Sequence, residues 1–302
     1  MKVAVISDSA SDPYYKKILE SFAKGIDGQA DIVHSSQYKN YDCAVIFGSY
    51  KPKRGRLAHK GKGVIIENGM PYIQLETQLV GRPIDTAYHK EFRVGVNGFL
   101  WDQALWGFEH IKEDRATKVF ERNGYDPLIK WKDNGNYILL CMQKVGDASL
   151  RGIDVFEWTA QTVKELRQHT DREIIIRPHP LYRKRVQHTI LKEQLLKVKN
   201  VTWQESDLEQ NQWSPVQQQL KESWCVVTYT SGTGIDAVLT GTPSIACNSG
   251  SMVYDVSSKA ISDVEDPFRG DKSGWTNKIA HCQWSIEEFE SGECWEHVSK
   301  SI

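Results

Sequence analysis

The sequence predicts an α/β protein of two domains, each built on a mostly parallel sheet with helices on both faces. Apolar, β-branched strands alternate with amphipathic helices along most of the 302 residues, as in strand–helix–strand units. A polar stretch, Asp126–Asn136, separates two such series, and a chain of this length suits two domains. We therefore expect domains at residues 1–130 and 131–302, both Rossmann-like, facing a cleft where a ligand binds.

The first domain opens with a strand at Lys2–Ser7, and Pro13 then starts a helix that runs to about Lys24. Pro is favoured in the first turn of a helix because its missing N–H has no partner there. The further strands predicted by apolar alternation are Ala30–His34, Cys43–Phe47, Val64–Glu67 and Tyr72–Leu75.

The second series begins with a strand at Tyr137–Met142. The later strands of this domain are predicted at 173–176, 200–203, 225–229 and 244–247, and its helices at Val155–Gln168, 185–197, 214–222 and 235–240. Trp275–Ser301 is predicted to be helical and to pack back across the domain interface.

The composition is that of a globular protein with a real core: 40% of the residues are apolar, 25% are charged and the formal net charge is −1. This charge excludes a globally basic polyanion binder, so any nucleic-acid contact must be a local patch. No apolar run reaches the ~18 residues of a membrane span, and the start of the chain lacks a signal-peptide core. The six cysteines form no CxxC pair, which predicts reduced thiols in a cytoplasmic protein.

Two strand-to-helix junctions of the second domain carry residue types that bind phosphate. Thr230–Gly234 follows one strand, and its small hydroxyl residues and glycines leave backbone N–H groups open for an anion. Arg177–Pro180 follows another. There Arg177 offers a fork of donors to phosphate oxygens, and His179 can add a hydrogen bond. Together the junctions predict a nucleotide-diphosphate site.

Each junction also has a plain structural interpretation. The first can be an ordinary N-capped turn. In the second, Arg177 can pair with a core carboxylate while His179 caps a helix. Both interpretations stay open from the residues alone.

Several blocks resemble the capsule-polysaccharide Kdo transferases and their GT-B relatives. Tyr137–Ser149 resembles the strand and QVxxDAS loop of that family, and the Arg177–Pro180 and Ser231–Pro243 blocks follow in the expected order. In the first half, Phe47–Pro52 and Pro71–Thr77 look like its GxKxS and acidic-pair regions. The resemblance implies a GT-B fold with an N-terminal acceptor domain and a C-terminal domain that binds a nucleotide sugar.

A narrower likeness links Phe92–Phe99 and Trp275–Glu288 to phage-encoded glycosyltransferases, some of them associated with sugar addition to hydroxymethylated pyrimidines in DNA. Two positions depart from the Kdo transferases. Their Glu-Asp pair is Glu76-Thr77 here, and the Glu in their helix after the SGT turn is Asp236. Both departures concern the identity of the donor more than the fold.

The candidate donor-binding residues come from the two junctions, the QVxxDAS-like loop and the helix after the SGTG turn. They are Gln143, Asp147, Ser149, Arg177, His179, Thr230, Ser231, Gly232, Thr233 and Asp236. Asp236 is placed to accept hydrogen bonds from a ribose diol or a sugar hydroxyl, and the alternative is a favourable interaction with the helix dipole of ~0.3–1 kcal/mol. The alternative for the Gln143–Ser149 loop is a solvated polar loop.

Glu76 is the candidate general base, because it ends an apolar strand of the acceptor domain. A carboxylate there can take the proton of the acceptor hydroxyl during an inverting, in-line displacement. The alternative is a strand-end carboxylate paired with Arg82 or Arg93. Asp8 and Asp12, after the first strand, are the substitutes.

A basic run, predicted to be a mobile loop, is the candidate contact with a DNA acceptor. Six cations occupy the twelve positions from 51 to 62 with no acid among them: Lys51, Lys53, Arg54, Arg56, Lys60 and Lys62. The first four are the acceptor-binding candidates, since such a patch neutralises phosphates in a salt-dependent way, and the alternative is a solvated loop. Tyr50 and Trp101 are candidates for stacking on a flipped base, whereas Trp284 and Trp295 are expected to pack in the core and between domains.

These residues predict a glycosyltransferase that moves a sugar, expected from a UDP donor, to the hydroxymethyl group of a modified pyrimidine in phage DNA within the host cytoplasm. No cofactor is expected beyond the nucleotide sugar as co-substrate. No metal is expected, since the chain has no DxD between apolar runs and no HExxH. The alternatives are a capsule-type transferase that uses a CMP-activated acidic sugar, and a non-catalytic nucleotide- or DNA-binding module. The oligomeric state stays open.

Overall fold

The computed structural model describes residues 1–26, 28–52, 55–83, 88–179, 186–204 and 216–302. The chain divides into two compact units. The first comprises Met1–Gly124 and Thr276–Ile302, and the second comprises Tyr125–Trp275.

The first unit is built on a six-stranded sheet with the order β11-β5-β4-β3-β1-β2. Its strands are β1 (Val3–Ile6), β2 (Ala30–Val33), β3 (Cys43–Phe47), β4 (Tyr72–Thr77), β5 (Glu91–Val96) and β11 (Gln283–Ser285). Its helices are α1 (Pro13–Lys24), α2 (Leu57–Glu67), α3 (Arg115–Arg122), α8 (Ser273–His281, which begins at the end of the second unit), α9 (Ile286–Glu290) and α10 (Glu293–Val298). Strands β1 to β4 run parallel to one another. Strand β5 pairs antiparallel with β4, and β11 pairs antiparallel with β5.

Side chains alternate between the two faces of this sheet, as the pleat requires. On β4, Ile73 and Leu75 join the core that contains Phe22 of α1. Tyr72, on the opposite face, joins the core that contains Ile65 of α2. Each face of the sheet is therefore covered by helix.

The second unit is built on a five-stranded parallel sheet with the order β10-β9-β6-β7-β8. Its strands are β6 (Tyr137–Cys141), β7 (Glu173–Arg177), β8 (Val201–Trp203), β9 (Ser223–Thr228) and β10 (Ser244–Ala246). Its helices are α4 (Val155–His169), α5 (Val186–Leu195), α6 (Val216–Glu222) and α7 (Thr233–Leu239). Helices α4 and α5 contribute to the core on one face, and α6 and α7 to the core on the other, so the predicted α/β class with two parallel-sheet, Rossmann-like units is confirmed.

Two segments were given the wrong secondary structure or the wrong domain by the sequence prediction. Val64–Glu67, predicted as a strand, is the last turn of α2, because a short apolar run has no periodicity that separates a strand from a buried helix. Residues 276–302, assigned to the second domain and predicted to be helical, contain β11 and belong to the first unit.

The C-terminal segment is held to the first unit by buried polar and aromatic contacts. Arg115 forms an ion pair with Glu288 at 2.7 Å, and its guanidinium lies 3.5 Å from the ring centre of Trp284. Phe289 of α9 contacts Phe22 of α1 edge-on, with ring centres 5.1 Å apart. Trp284 is therefore a core residue, as predicted, and it lies within the first unit.

The cysteines are free thiols, and most are buried. Burial raises the pKa of Cys43, Cys225 and Cys247 to about 12, so these thiols stay protonated at neutral pH. In the described part of the chain, no helix has the length and apolar character needed to cross a membrane.

Candidate functional site

The predicted donor-binding residues gather at the carboxyl edge of the second sheet. From β6 the chain passes to β7 and β8 on one side and then returns to β9 and β10 on the other. The order of the strands therefore reverses between β6 and β9. Open α/β sheets bind ligands at the carboxyl ends of their strands, at this kind of reversal.

Gln143 connects the two loops that flank this reversal. Its side chain is 7% exposed, and its Oε1 accepts the Thr230 backbone N–H at 2.7 Å. Its Nε2 donates to the Ser149 hydroxyl at 2.8 Å and to the Thr230 hydroxyl at 3.0 Å. The loop after β6 is thus fixed to the loop after β9 by one amide side chain.

Asp147 shapes the loop after β6. Its Oδ1 accepts the Ser149 backbone N–H at 3.0 Å and the Ser149 hydroxyl at 2.8 Å, which caps a short 3₁₀ helix at Ala148–Leu150. Gln143, Asp147, Ser149 and Thr230 therefore form one connected hydrogen-bond network, and the alternative of a merely solvated loop does not describe them.

The Ser231–Thr233 segment leads into α7. The Ser231 hydroxyl accepts the Thr233 backbone N–H at 3.2 Å, and Ser231, Gly232 and Thr233 are all partly exposed. Gly234 packs closely against the second unit's core, since a Cβ there would lie 2.9 Å from a methyl group of Val253. The N-cap residue of α7, Gly232, makes no side-chain cap hydrogen bond, and the turn presents the hydroxyls of Ser231 and Thr233 at the edge of the sheet.

Asp236 is buried inside α7, with 5% of its surface exposed. The buried Cys141 thiol at the end of β6 lies close to both Asp236 and Arg177. Burial raises the pKa of Cys141 to about 12, whereas the nearby Arg177 charge and a hydrogen bond with Thr233 act in the opposite direction. Residues from β6, β7 and α7 therefore meet around one thiol.

Arg177 ends β7, the strand on the other side of β6. Its Nη1 donates to Oε1 of Gln204 at 3.1 Å and also to the side-chain oxygen of Gln219, and Gln219 donates in turn to Gln204 at 2.8 Å. These amides orient the guanidinium without neutralising its charge. His179 is half-buried two residues beyond the strand, and Pro180 lies outside the described residues.

Glu76 lies at the carboxyl edge of the first sheet, near the end of β4. Its Oε1 accepts a hydrogen bond from the buried Gln74 at 3.2 Å, and Arg93 is its directly opposite residue in the β4–β5 register. The carboxylate is partly exposed and is oriented by a hydrogen bond from a residue of the same strand, β4.

The two substitutes for Glu76 carry structural hydrogen bonds. Asp8 accepts the Ser35 backbone N–H at 2.8 Å and the Ser35 hydroxyl at 2.7 Å. Asp12 accepts the Tyr14 backbone N–H at 2.8 Å and caps α1. Glu76 is therefore the better candidate base of the three.

The basic run from 51 to 62 differs from the predicted mobile loop. Lys51 is half-buried and Arg56 is exposed, whereas Lys53 and Arg54 lie outside the described residues. The glycines at 61 and 63 belong to α2, where they allow close packing. A Cβ on Gly61 would lie 2.6 Å from Asp8 Oδ2, and one on Gly63 would lie 2.9 Å from the Tyr50 hydroxyl.

Lys62 is the clearest exception within that run, because it is only 6% exposed. Its ammonium donates to the Phe47 carbonyl oxygen at 2.9 Å. The sequence could have predicted this burial, because Lys62 is four residues after Ala58 and three before Ile65. These spacings place all three residues on one face of α2.

The aromatic candidates already have partners within the first unit. The Tyr50 hydroxyl donates to Glu67. The Trp101 ring lies 5.2 Å from that of Phe108, and its carbonyl accepts the Trp106 indole N–H at 3.2 Å. Their stacking on a flipped base stays a prediction.

Two solved structures with a similar fold are Kdo transferases. The β-Kdo 2,4-transferase of Thermosulfurimonas dismutans KpsC matches with a TM-score of 0.56 and 15% identity, over 93% of this chain and 90% of that one. The fold is GT-B-like. The β-Kdo 2,7-transferase of the same KpsC matches with a TM-score of 0.54 and 14% identity over 100% of both chains. No protein-family model matches the chain, and no curated protein matches its sequence.

Proposed function

We propose that this GT-B-like chain is a glycosyltransferase that takes a sugar from a nucleotide-sugar donor. The observation that carries the proposal is the Gln143–Thr230 connection at the reversal of the second sheet. It brings two of the loops with phosphate- and hydroxyl-binding residue types to one point, and Arg177 ends the adjacent strand.

The leaving phosphate group of the donor binds at this edge. Arg177 supplies positive charge and N–H donors to the phosphate oxygens, for which a guanidinium fork is well suited. Ser231 and Thr233 supply neighbouring hydroxyls, and His179 adds a donor next to Arg177. Positive charge and donors fixed before the reaction stabilise a leaving group without reorganisation, so the chain's own residues perform this task.

The proposed acceptor chemistry uses Glu76 as general base. The acceptor hydroxyl gives its proton to Glu76 while its oxygen forms a bond to the anomeric carbon. The bond from that carbon to the phosphate oxygen breaks, and the nucleotide leaves with the electron pair. Attack opposite the leaving group inverts the anomeric configuration, which NMR of the product measures directly.

The acceptor we favour is a hydroxymethylated pyrimidine in DNA, because Lys51 of the basic run interacts electrostatically with Lys62, which in turn interacts with Glu76. A glycan acceptor with a CMP-activated acidic sugar is the second candidate. It is favoured by the fold shared with two β-Kdo transferases.

The deciding experiment incubates the protein with radiolabelled UDP-, GDP- and CMP-sugars, and with either hydroxymethylated DNA or a glycan. Label on DNA supports the first acceptor, and label on glycan alone eliminates it. A general base contributes about 10²- to 10⁴-fold to the rate, so Glu76→Gln is expected to lose that much activity. Glu20→Gln, an exposed substitution on α1, is expected to keep it.

A chain that only binds nucleotides gives a different pattern. A nucleotide at a hundred times its dissociation constant stabilises the folded state by about 2.7 kcal/mol. A thermal shift of that order with no transfer from any donor to any acceptor would replace the transferase proposal by a binding module.

A further inference from the structure

Lys62 is a buried cation whose hydrogen bonds are incomplete. An ammonium carries three N–H donors. Within the described ranges of the chain, Lys62 makes a single hydrogen bond, to the Phe47 carbonyl oxygen at 2.9 Å, although the residue is 6% exposed. Buried donors and charges without partners cost free energy. The remaining donors therefore suit a group that binds from outside the chain.

Glu76 lies on the same face and at the same end of the first sheet as this ammonium. Tyr72 packs on the α2 side of the sheet, and the alternation of β4 places Gln74 and Glu76 on that side too. Phe47 pairs with Leu75 in the β3–β4 register. An ammonium bound to the Phe47 carbonyl is thus next to the strand end that carries Glu76.

The backbone after β3 is shaped to admit the ammonium. Gly48 has a left-handed φ of +78°, and its N–H donates to the Leu75 carbonyl at 2.7 Å. A Cβ at this position would lie 3.2 Å from Lys62 Nζ. Glycine therefore serves both the turn and the close approach of the charge.

We propose that Lys62 and Glu76 hold the acceptor hydroxyl between them, with Lys62 as a second catalytic residue; this rests on the transferase function proposed above. A hydroxyl group both donates and accepts a hydrogen bond, and a carboxylate beside an ammonium offers the two complementary partners. Glu76 accepts the O–H, and Lys62 donates to the same oxygen. As the proton moves to Glu76, Lys62 stabilises the negative charge that develops on the attacking oxygen.

The Lys62–Glu76 pair therefore requires an acceptor with a hydroxyl group, and this holds for both a DNA acceptor and a glycan acceptor. Among the described residues, several further charged or titratable groups lie around the pair. Lys51, after β3, repels the like charge of Lys62. Tyr15 of α1 interacts electrostatically with Glu76. Arg93 of β5 is opposite Glu76, and Asp8, after β1, packs against Gly61 next to Lys62.

The kinetic test compares Lys62→Met with Lys17→Met, an exposed substitution on α1. Met keeps the length of the side chain and removes the charge. Loss of one preorganised donor costs about 100-fold or more, so we expect that decrease in kcat/KM for the acceptor, with unchanged nucleotide binding. Activity within twofold of the wild type in Lys62→Met would overturn the catalytic role.

The pH profile separates a charge effect from a packing effect. Burial lowers the pKa of Lys62 to about 8, although the Glu76 charge opposes this shift. In the wild type, kcat/KM should therefore fall as the pH rises through about 8, because neutral Lys62 no longer stabilises the oxygen. This alkaline limb should be absent in Lys62→Met, and its persistence there would contradict the proposal.

A titration of the free protein tests the pair without any activity. The ¹³Cε resonance of Lys62, assigned through Lys62→Met or, if that variant does not fold, through Lys62→Gln, reports its protonation. Glu76→Gln should lower the pKa of Lys62 further, because the stabilising carboxylate is gone, while Glu20→Gln should leave it unchanged. An unaltered titration in Glu76→Gln would overturn the pair. Absence of transfer in the wild type would instead overturn the transferase proposal and, with it, the catalytic role of Lys62.

Discussion

The side-chain oxygen of Gln143 accepts the backbone N–H of Thr230 at 2.7 Å, which connects the loops after the two strands where the second sheet reverses its order. A neighbouring strand end presents Arg177, and the same amide holds Ser149. One buried side chain thus connects Ser149 and Thr230, two of the residues proposed to bind the donor.

We expect Gln143→Leu to weaken both folding and donor binding. The substitution leaves the partly buried Thr230 N–H without its partner, and an unsatisfied donor shielded from water costs up to about 1–3 kcal/mol of unfolding free energy. Urea denaturation measures this loss, and calorimetry with the nucleotide measures the dissociation constant. Gln161→Ala, on the exposed face of α4, is the control and should change stability by less than about 0.5 kcal/mol.

Arg177→Gln should weaken nucleotide binding with little effect on folding. A hydrogen bond to a charged partner is worth about 1.5–3 kcal/mol, which corresponds to roughly a 10- to 100-fold increase in Kd. Calorimetric titration with UDP, GDP and CMP measures it, with the exposed Lys164→Gln of α4 as a control for net charge. Equal affinities in the wild type and Arg177→Gln would remove Arg177 from the donor site.

The glycines of two helices should respond in opposite ways to alanine. A Cβ on Gly61 would lie 2.6 Å from an Asp8 oxygen that Ser35 holds in place, so Gly61→Ala should destabilise the first unit by about 1–3 kcal/mol. Apart from its chain neighbours and its own helix backbone, no described residue has an atom within 4 Å of the Cβ position of Gly274 in α8, and Gly274→Ala should stabilise by up to ~1 kcal/mol. Thermal unfolding of the two variants measures both changes. Stabilisation by Gly61→Ala would show that Asp8 moves aside freely.

The alternation of apolar residues is sufficient to predict most of the sheets, because buried parallel strands such as Tyr137–Cys141 are short, continuous apolar runs. It fails at Val64–Glu67, where a helix turn packed on the sheet has the same apolar density as a strand. It also fails at Glu91–Val96 and Gln283–Ser285, which pair across almost two hundred residues. A local sequence pattern cannot predict the pairing of two strands that are so far apart in the chain.

The sequence predicts the site residues at the strand ends, but it does not predict the residues that orient them through hydrogen bonds. Gln143, Thr230 and Arg177 follow apolar strands, which sequence patterns reveal. Gln204 and Gln219, which orient Arg177, lie in segments that only the fold brings together. Lys62 is hidden in a run of exposed cations, and its burial depends on the packing of α2 on the sheet.

His281 is held as a neutral imidazole at the join between the C-terminal segment and the rest of the first unit. Its Nε2 accepts the Lys112 backbone N–H at 2.9 Å, and its Nδ1 is 2.8 Å from the Asn277 carbonyl oxygen, to which it donates. Burial, together with the nearby charge of Arg115, lowers the pKa of His281 from 6.5 to about 4. A second ring proton would face the Lys112 N–H and break that hydrogen bond.

The stability of the protein should therefore fall as the pH drops from 6.5 to about 4. In this interval the unfolded chain binds a proton at His281 that the folded state excludes. The stability that neutral His281 contributes is therefore fully present above pH 6.5 and is lost as the pH falls towards 4. Allowing for solvent screening, we expect a loss of roughly 1–3 kcal/mol in unfolding free energy. Urea denaturation across this range measures the slope for the wild type and for His281→Gln, whose amide can still accept the Lys112 N–H. The slope should be smaller in the variant, and identical slopes would show that His281 is already protonated in the folded protein.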